Sequence, residues 1–366
     1  MIETDIREII DRDLPWDDLH GCTVLVTGAG GMLPSYVIFS LLALNDTRGA
    51  AITVHGLVRN EAAAHRVLAC IVDRPDFHLL IQDVSEPVRL VGRVDYVVHG
   101  ASAARPSKHA TDPVGTIRAN VLGTLALLDR CVVDRSRCFI LMSSAEIYGH
   151  QPDGVELVDE DGYGGFDILL PRACYSEGKR AAETIAAAYH AQYGVPCRMA
   201  RFGHVYGPGM ALDDGRVQAD FAAHVVAGTD IVLNSDGSAT RTYTYVADAI
   251  AGLFYLMLCA TELAYNVADA RGLVSIRELA ELFTQVRPDQ GLAVGFTSAA
   301  DTTSYNPTAR QGLSSRRLEA LGWQPSVDLP TGLDRMIRSL EATIDTIDTK
   351  APLRPAHPEM AEPHDS

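Results

Sequence analysis

Cys22-Thr-Val-Leu-Val-Thr27 runs directly into Gly28-Ala-Gly-Gly31-Met-Leu-Pro34, and the apolar stretch Tyr36 to Leu44 follows. Strand, glycine turn and helix in that order open a dinucleotide-binding unit. The glycines let the backbone approach a pyrophosphate closely, and the free N–H groups and positive dipole end of the next helix attract it. A glycine cluster alone also fits any tight strand-to-helix turn, so the reading rests on its surroundings.

Strand signals recur outward from there at Ile52 to Val58, Phe77 to Ile81, Val94 to His99, Cys138 to Met142 and Cys197 to Phe202, with helix-like segments between most of them. That alternation builds an α/β fold, a doubly wound parallel sheet covered on both faces. Beyond Gly203 turn-rich stretches (Gly207-Pro-Gly209, Asn234-Ser-Asp-Gly237) alternate with helical segments near Val246 to Leu258, Ile276 to Val286 and Leu333 to Ile347. The chain divides into an amphipathic extension at 1–20, a dinucleotide-binding domain at 21–203 to which segments near 240–268 can return, a smaller substrate-binding lobe mainly in 204–348, and a proline-bearing disordered tail at 349–366.

The chain has 366 residues, 47% apolar and 21% charged, with a formal net charge of -16. Such an acidic balance argues against nucleic acid or an anionic membrane as partner, so any phosphate must be gripped locally. The seven cysteines form no CxxC pair and read as small core residues of a reducing compartment, without metal or disulfide. Met1-Ile-Glu-Thr-Asp lacks a basic segment leading into an apolar one, and no apolar run reaches spanning length, so the expected address is cytoplasmic.

Chemistry is concentrated in Pro171-Arg-Ala-Cys-Tyr-Ser-Glu-Gly-Lys-Arg-Ala-Ala-Glu-Thr184, where Tyr175 stands four residues before Lys179 at the start of a helical pattern. Residues four apart share a helix face. An ammonium beside a phenol stabilises the phenolate, which would let Tyr175 accept a proton from an alcohol near neutral pH. The same spacing also arises by chance on a solvated helix, and the remainder of the chain has to decide.

Thr27-Gly-Ala-Gly-Gly31 with Tyr175-Ser-Glu-Gly-Lys179 resembles the extended short-chain dehydrogenase/reductases, the Rossmann-type nucleotide-sugar epimerases, dehydratases and decarboxylases, over about residues 21–345. Gln82-Asp83-Val84, Asn120-Val-Leu-Gly-Thr124, Ser143-Ser-Ala-Glu-Ile-Tyr-Gly149 and Tyr206-Gly-Pro208 match in order. Pro171 to Arg180, Asp214-Gly-Arg-Val217 and Thr240-Arg-Thr-Tyr-Thr-Tyr-Val246 are most similar to UDP-glucuronate decarboxylases. The resemblance implies a homodimer that binds NAD at Gly28, Gly30, Gly31, Met32, Leu33, Arg59, Asp83, Val84, Gly100, Ala101, Ser102, Asn120, Tyr175 and Lys179. It implies catalysis by Tyr175, Lys179, Ser144 and Glu146, and a nucleotide sugar held by Arg105, Ser144, Ala145, Glu146, His204, Arg216, Arg241 and Arg310. Arg216, Arg241 and Arg310 also read as surface ion-pair residues, and Ser144 and Glu146 as an ordinary strand-end serine and a solvated loop acid.

The implied activity is oxidation of the sugar at C4 followed by loss of CO2 from UDP-glucuronate. Ala145 cannot protonate a departing hydroxyl, as dehydratases acting on C6 often require of that position. A 4-epimerase, a 4,6-dehydratase and a non-catalytic dinucleotide sensor are the alternatives. Three departures bear on the choice: Pro34 replaces the usual third glycine, Gly209 replaces the decarboxylases' arginine, and His204 replaces an asparagine. His55-Gly-Leu-Val-Arg59 offers no acid for a ribose 2′-hydroxyl, and Arg59 would suit the 2′-phosphate of NADP. Internal recycling of the cofactor favours NAD all the same.

Overall fold

The structure, a computed structural model, describes residues 1–102, 104–151, 154–297 and 309–348; the expected disordered tail at 349–366 lies outside the described residues. The first half alternates as read: α1 (Ile2–Ile10), β1 (Thr23–Thr27), α2 (Met32–Arg48), β2 (Thr53–Val58), α3 (Glu61–Leu68), β3 (Phe77–Ile81), β4 (Tyr96–His99), α4 (Pro106–Thr111), α5 (Pro113–Asp134), β5 (Cys138–Ser144), α6 (Ala173–Tyr193) and β6 (Cys197–Phe202). There follow β7 (His204–Tyr206), α7 (Val217–Ala227), β8 (Ile231–Leu233), β9 (Thr240–Tyr245), α8 (Val246–Cys259), β10 (Ala264–Val267), β11 (Leu273–Ser275), α9 (Ile276–Gln285), β12 (Val294–Phe296), β13 (Arg310–Gln311), α10 (Arg316–Glu319) and α11 (Leu329–Asp348).

Seven strands form one parallel sheet in the order β10-β6-β5-β4-β1-β2-β3. Val24, Leu25 and Val26 are all fully buried, because helices cover both faces of a parallel sheet and leave neither side of a central strand wet. The chain leaves β1 towards β2 on one side, and β4 lies on the other. A crevice opens at such a switch point beyond the carboxyl ends of the strands. The glycine turn at 28–31 and the loop after His99 meet there. Gly28 has φ +70°, and a Cβ on it would lie 2.9 Å from the Ala101 backbone. Pro34 fits in the first turn of α2 because Gly100 faces it: a Cβ on Gly100 would stand 2.7 Å from the Pro34 ring. The bulk gained at one position is matched by the side chain missing at the other.

Beyond β6, β9 pairs with β7, β11 and β13, and β8 with β12, to make two small sheets beside the main one. The amphipathic extension buries Ile6, Ile9 and Ile10 as its pattern requires. Its buried Asp5 does more, accepting hydrogen bonds from Tyr36 of α2 and Tyr245 of β9, each at 2.8 Å.

Helix α6 is fixed to the sheet by charge as well as packing. Arg201 of β6 forks the Glu183 carboxylate, with its shortest contact 2.7 Å, and Ser143 of β5 donates to the same carboxylate at 2.5 Å. Both members of the ion pair are buried. Arg201 also donates to the Tyr148 hydroxyl and the Glu160 carbonyl, so its remaining N–H groups are not stranded. Removing one member of a buried pair strands the other, at about 3–5 kcal/mol. Arg201→Met should therefore destabilise the fold by that amount in urea unfolding; a loss under about 1 kcal/mol would show that Glu183 does not depend on Arg201.

Candidate active site

The first two turns of α6 carry the central groups on one face, since Arg172, Tyr175, Ser176 and Lys179 follow the three- and four-residue helical spacing. Tyr175 is buried, close enough to the Ser144 hydroxyl at the end of β5 for that group to draw its pKa down, and stacked on the His109 ring of α4 with centroids 4.6 Å apart. Lys179 is 2% exposed and donates to the Met142 carbonyl at 2.6 Å, with its ammonium 5.9 Å from the centre of the Tyr175 ring. The expected lowering of the phenol pKa is not found. Burial and the Glu146 charge push Tyr175 up to about 12, with Ser144, Arg216 and Arg172 pulling the other way. Lys179 itself is pulled down to about 8, chiefly by burial, so its charge is costly to hold where it stands.

Glu146 follows in the short turn Ala145–Tyr148, its own amide donating to the Ser144 hydroxyl at 3.2 Å. Its carboxylate receives two hydrogen bonds from Arg172, both 3.1 Å, and one from Ser176 at 2.9 Å. The lobe closes the opposite side. Arg216 and Arg241 lie within electrostatic reach of His204, and Arg241 also feels Glu146 and Arg172, so these groups share one site. His204 and Tyr243 are register partners on β7 and β9 with ring centroids 5.6 Å apart. Burial and the two arginines hold His204 down at about 3, so its ring is neutral. Among the described residues, His204 Nδ1, the Tyr243 hydroxyl and Gln311 Oε1 are buried without a hydrogen-bond partner. Buried polar atoms are seldom left unpaired, and three in one lobe around Arg241 are what a polar ligand would satisfy.

The crevice fits a dinucleotide. The N-terminus of α2 at Gly31 has no side-chain cap, Ser102 Oγ and Asn120 Oδ1 are buried without partners, and a Cβ on Gly30 would meet Ala64 at 3.4 Å. Thr27 accepts from the Ala101 amide and bonds His99, tying the loop of Gly100, Ala101 and Ser102 to the end of β1. Met32 and Leu33 begin α2, and Val84 is buried against the place a Gly123 side chain would occupy. Arg59 is exposed and stands 4.0 Å from the Asp83 carboxylate, which also holds Ser85.

Two expected substrate arginines face acids. Arg216 forks Asp214, and Arg105 reaches Asp213 at 3.3 Å and Asp214 at 4.0 Å. Arg241 donates to the carbonyls of Thr240 and Ala309. Arg310 is not brought in: it is exposed on β13, and alternation along the strand turns it away from the side on which Gln311 is buried beside Arg241. Buried Ala145 separates Ser144 from Glu146. Arg172 and Ser176, which the motif contains but sequence reasoning left without a role, were accessible through their helical spacing from Tyr175. His109, Tyr243 and Gln311 carried no such signal.

A glycine turn at the switch point of a parallel sheet, facing a Tyr-Lys helix, is the arrangement of a dinucleotide-dependent enzyme of the extended short-chain dehydrogenase/reductase class. The chain belongs to the NAD dependent epimerase/dehydratase family, which it matches over residues 24–268. UDP-glucuronic acid decarboxylase 1 of Arabidopsis thaliana is 34% identical over 317 residues, 86% of this chain and 68% of that protein. UDP-glucuronic acid decarboxylase 6 of the same plant is 32% identical, over 86% of this chain and 87% of its own. Among solved structures, UDP-glucose 4-epimerase of Thermus thermophilus in complex with NAD is similar with a TM-score of 0.71 and 26% identity, covering 87% of this chain and 98% of that one.

The depressed Lys179 couples stability to pH in a definite direction. Between about 8 and the ordinary 10.5 the unfolded chain binds a proton that the folded one lacks, so stability rises with pH across that window and is lowest below it. Lys179→Met removes the cost of the buried charge and gives up the bond to Met142. It should raise stability at pH 7 by about 2 kcal/mol, with the gain gone by about pH 9.5 and the variant about 1 kcal/mol less stable than wild type above about pH 10.5, where only the lost bond remains. Denaturant titrations at pH 7 and pH 10 measure this; a variant less stable than wild type at pH 7 refutes it.

Proposed function

We propose that the chain decarboxylates UDP-glucuronate to a UDP-pentose through a 4-keto sugar, with residues 21–203 holding the dinucleotide and 204–348 mainly the sugar nucleotide. The observation that carries this reading is the composition of the site around the phenol: a carboxylate, Glu146, fixed beside Tyr175, and at position 145 a buried alanine that cannot serve as an acid. The similarity to UDP-glucuronic acid decarboxylases over most of the chain supports it.

NAD, when bound, supplies a reversible two-electron oxidation at the sugar C4. Gly28, Gly30, Gly31 and the open N-terminus of α2 would receive its pyrophosphate, Asp83 and Val84 its adenine side, and Ser102, Asn120 and Lys179 the rest. The pairing of Arg59 with Asp83 favours NAD over NADP, since no 2′-phosphate is then needed at Arg59. Tyr175 accepts the proton of the 4-hydroxyl, which Ser144, beside the phenol, orients. Lys179, buried on the same helix face, favours the phenolate that accepts it. The ketone formed at C4 lies β to the carboxylate on C5, so CO2 departs and leaves its electron pair in an enolate. Glu146, directly or through water, serves reprotonation of C5, and Tyr175 returns its proton to the C4 oxygen as the oxidation at C4 is reversed. Arg105, Arg216 and Arg241, with His204, hold the diphosphate and sugar; the diphosphate takes the place of Asp213 and Asp214 on the first two.

Gly209 favours a second reading. With φ +88° it sits where a side chain is strained, so the decarboxylases' arginine is missing for a backbone reason as well. A substrate carboxylate that survives would make the enzyme a 4-epimerase. The setting proposed is cytoplasmic, supported by seven free cysteines, and among the described residues no helix is long and apolar enough to cross a membrane. A homodimer is supported by Val114, Ile117 and Leu122 exposed on α5.

Incubated with UDP-glucuronate, the enzyme should give a product lighter by CO2 in mass spectrometry, whereas an unchanged mass with a new isomer would make it an epimerase and loss of water a dehydratase. Tyr175→Phe should reduce turnover by at least about 1,000-fold while dinucleotide affinity stays within about threefold, because it removes a proton acceptor and little packing surface. Turnover close to wild type in that variant would remove Tyr175 from the mechanism.

A further inference from the structure

Arg172 stands one helical turn before Tyr175, and its side chain has a single occupation. Both terminal nitrogens donate to the Glu146 carboxylate at 3.1 Å, and its side chain makes no other hydrogen bond among the described residues. Its Nε is buried without a partner. Arg201, which bolts α6 to the sheet, spreads its five donors over the Glu183 carboxylate, the Tyr148 and Tyr163 hydroxyls and the Glu160 carbonyl. Arg172 instead spends its charge on one carboxylate, and that carboxylate bears on the phenol. We propose that Arg172 is a positioning residue for the reaction: with Ser176 it fixes the Glu146 carboxylate beside Tyr175 and offsets the negative charge that would otherwise hold the proton on the phenol.

This rests on Tyr175 being the proton acceptor of the proposed function. The groups facing the pair from other elements are Ser144 of β5, His109 of α4, Arg216 before α7 and Arg241 of β9, with Lys179 on α6 itself. Ser144 meets Glu146 through the backbone, its hydroxyl accepting from the Glu146 amide, and Arg241 acts on the carboxylate through its charge. The hydrogen bonds that hold the carboxylate oxygens come from Arg172 and Ser176. Without the Arg172 guanidinium, a poorly compensated carboxylate close to a buried phenol shifts the phenol by roughly one pH unit or more.

The test follows the oxidation half of the reaction by the absorbance change of the dinucleotide after rapid mixing, as a function of pH. UDP-glucuronate is the probe, and UDP-glucose if UDP-glucuronate produces no change. In Arg172→Met the limb that reports proton loss from Tyr175 should move up by about one pH unit, the rate at neutral pH should fall about tenfold, and KM should stay within about twofold. Arg172→Lys, which keeps the charge without the fork, should recover most of the shift. Adding Glu146→Gln to Arg172→Met should bring the limb back down, because the charge that Arg172 offsets is then gone. A limb unmoved in Arg172→Met, or one that stays high in the double variant, overturns the proposal. Failure of the decarboxylation reading shows separately, in the mass of the product. A wild-type enzyme inert towards both probes overturns the enzymatic reading and this inference with it.

Discussion

The buried ion pair between Arg201 and Glu183 is the constraint on which the catalytic helix depends. Tyr175, Lys179 and Glu183 lie four residues apart along α6, so whatever fixes the last fixes the rotation of the helix and thereby the aim of the first two. A helix held by apolar packing alone can turn by a small angle at little cost. A guanidinium fork with every donor satisfied has one good geometry, and Tyr148 and Tyr163 cover it with their rings, at 5.2 and 5.6 Å from the guanidinium carbon. The same arrangement leaves Lys179 directed at the Met142 carbonyl and away from bulk water, which explains both its low exposure and its depressed pKa.

A second buried carboxylate coordinates the larger pieces. Asp5 of the N-terminal helix accepts from Tyr36, which follows the glycine turn, and from Tyr245, which ends the strand carrying Arg241 and Tyr243. The same Tyr36 hydroxyl lies 3.2 Å from the Pro208 carbonyl, next to Gly209. The extension is therefore more than a cover for the main domain: it joins the dinucleotide side of the crevice to the lobe side. Arg105, Asp213, Asp214 and Arg216 make a further link across the mouth; Arg105, Arg216 and Asp213 are exposed or half-exposed charges, cheap to exchange for a ligand's own, while Asp214 is buried beneath them.

Inside the crevice the groups are arranged so that neither the phenol nor the amine has its ordinary affinity for protons. Burial raises one and lowers the other, and the usual near-coincidence of their pKa values is broken in opposite directions. That makes the balance sensitive to each neighbouring charge, and of these Glu146, held by Arg172, acts most on the phenol.

The amino-acid sequence by itself determined the order of strands and helices, the glycine turn and the Tyr-Lys spacing, because these are local: each depends on backbone conformation or on residues within a turn of one another. The boundaries of β3 and β6 and the start of α8 are legible in the hydrophobic pattern alone. Only the tertiary structure decided what those residues meet. Lys179 pairs with Met142, 37 positions away, instead of simply lowering the phenol. Arg310 stays outside the cluster, while its neighbour Gln311 and the distant Tyr243 and His204 gather around Arg241. His109 stacks on Tyr175 from a helix that no motif marks. Proximity across a sheet is set by pairing register and by which face of a strand is buried, and neither is written in the spacing of residues along the chain.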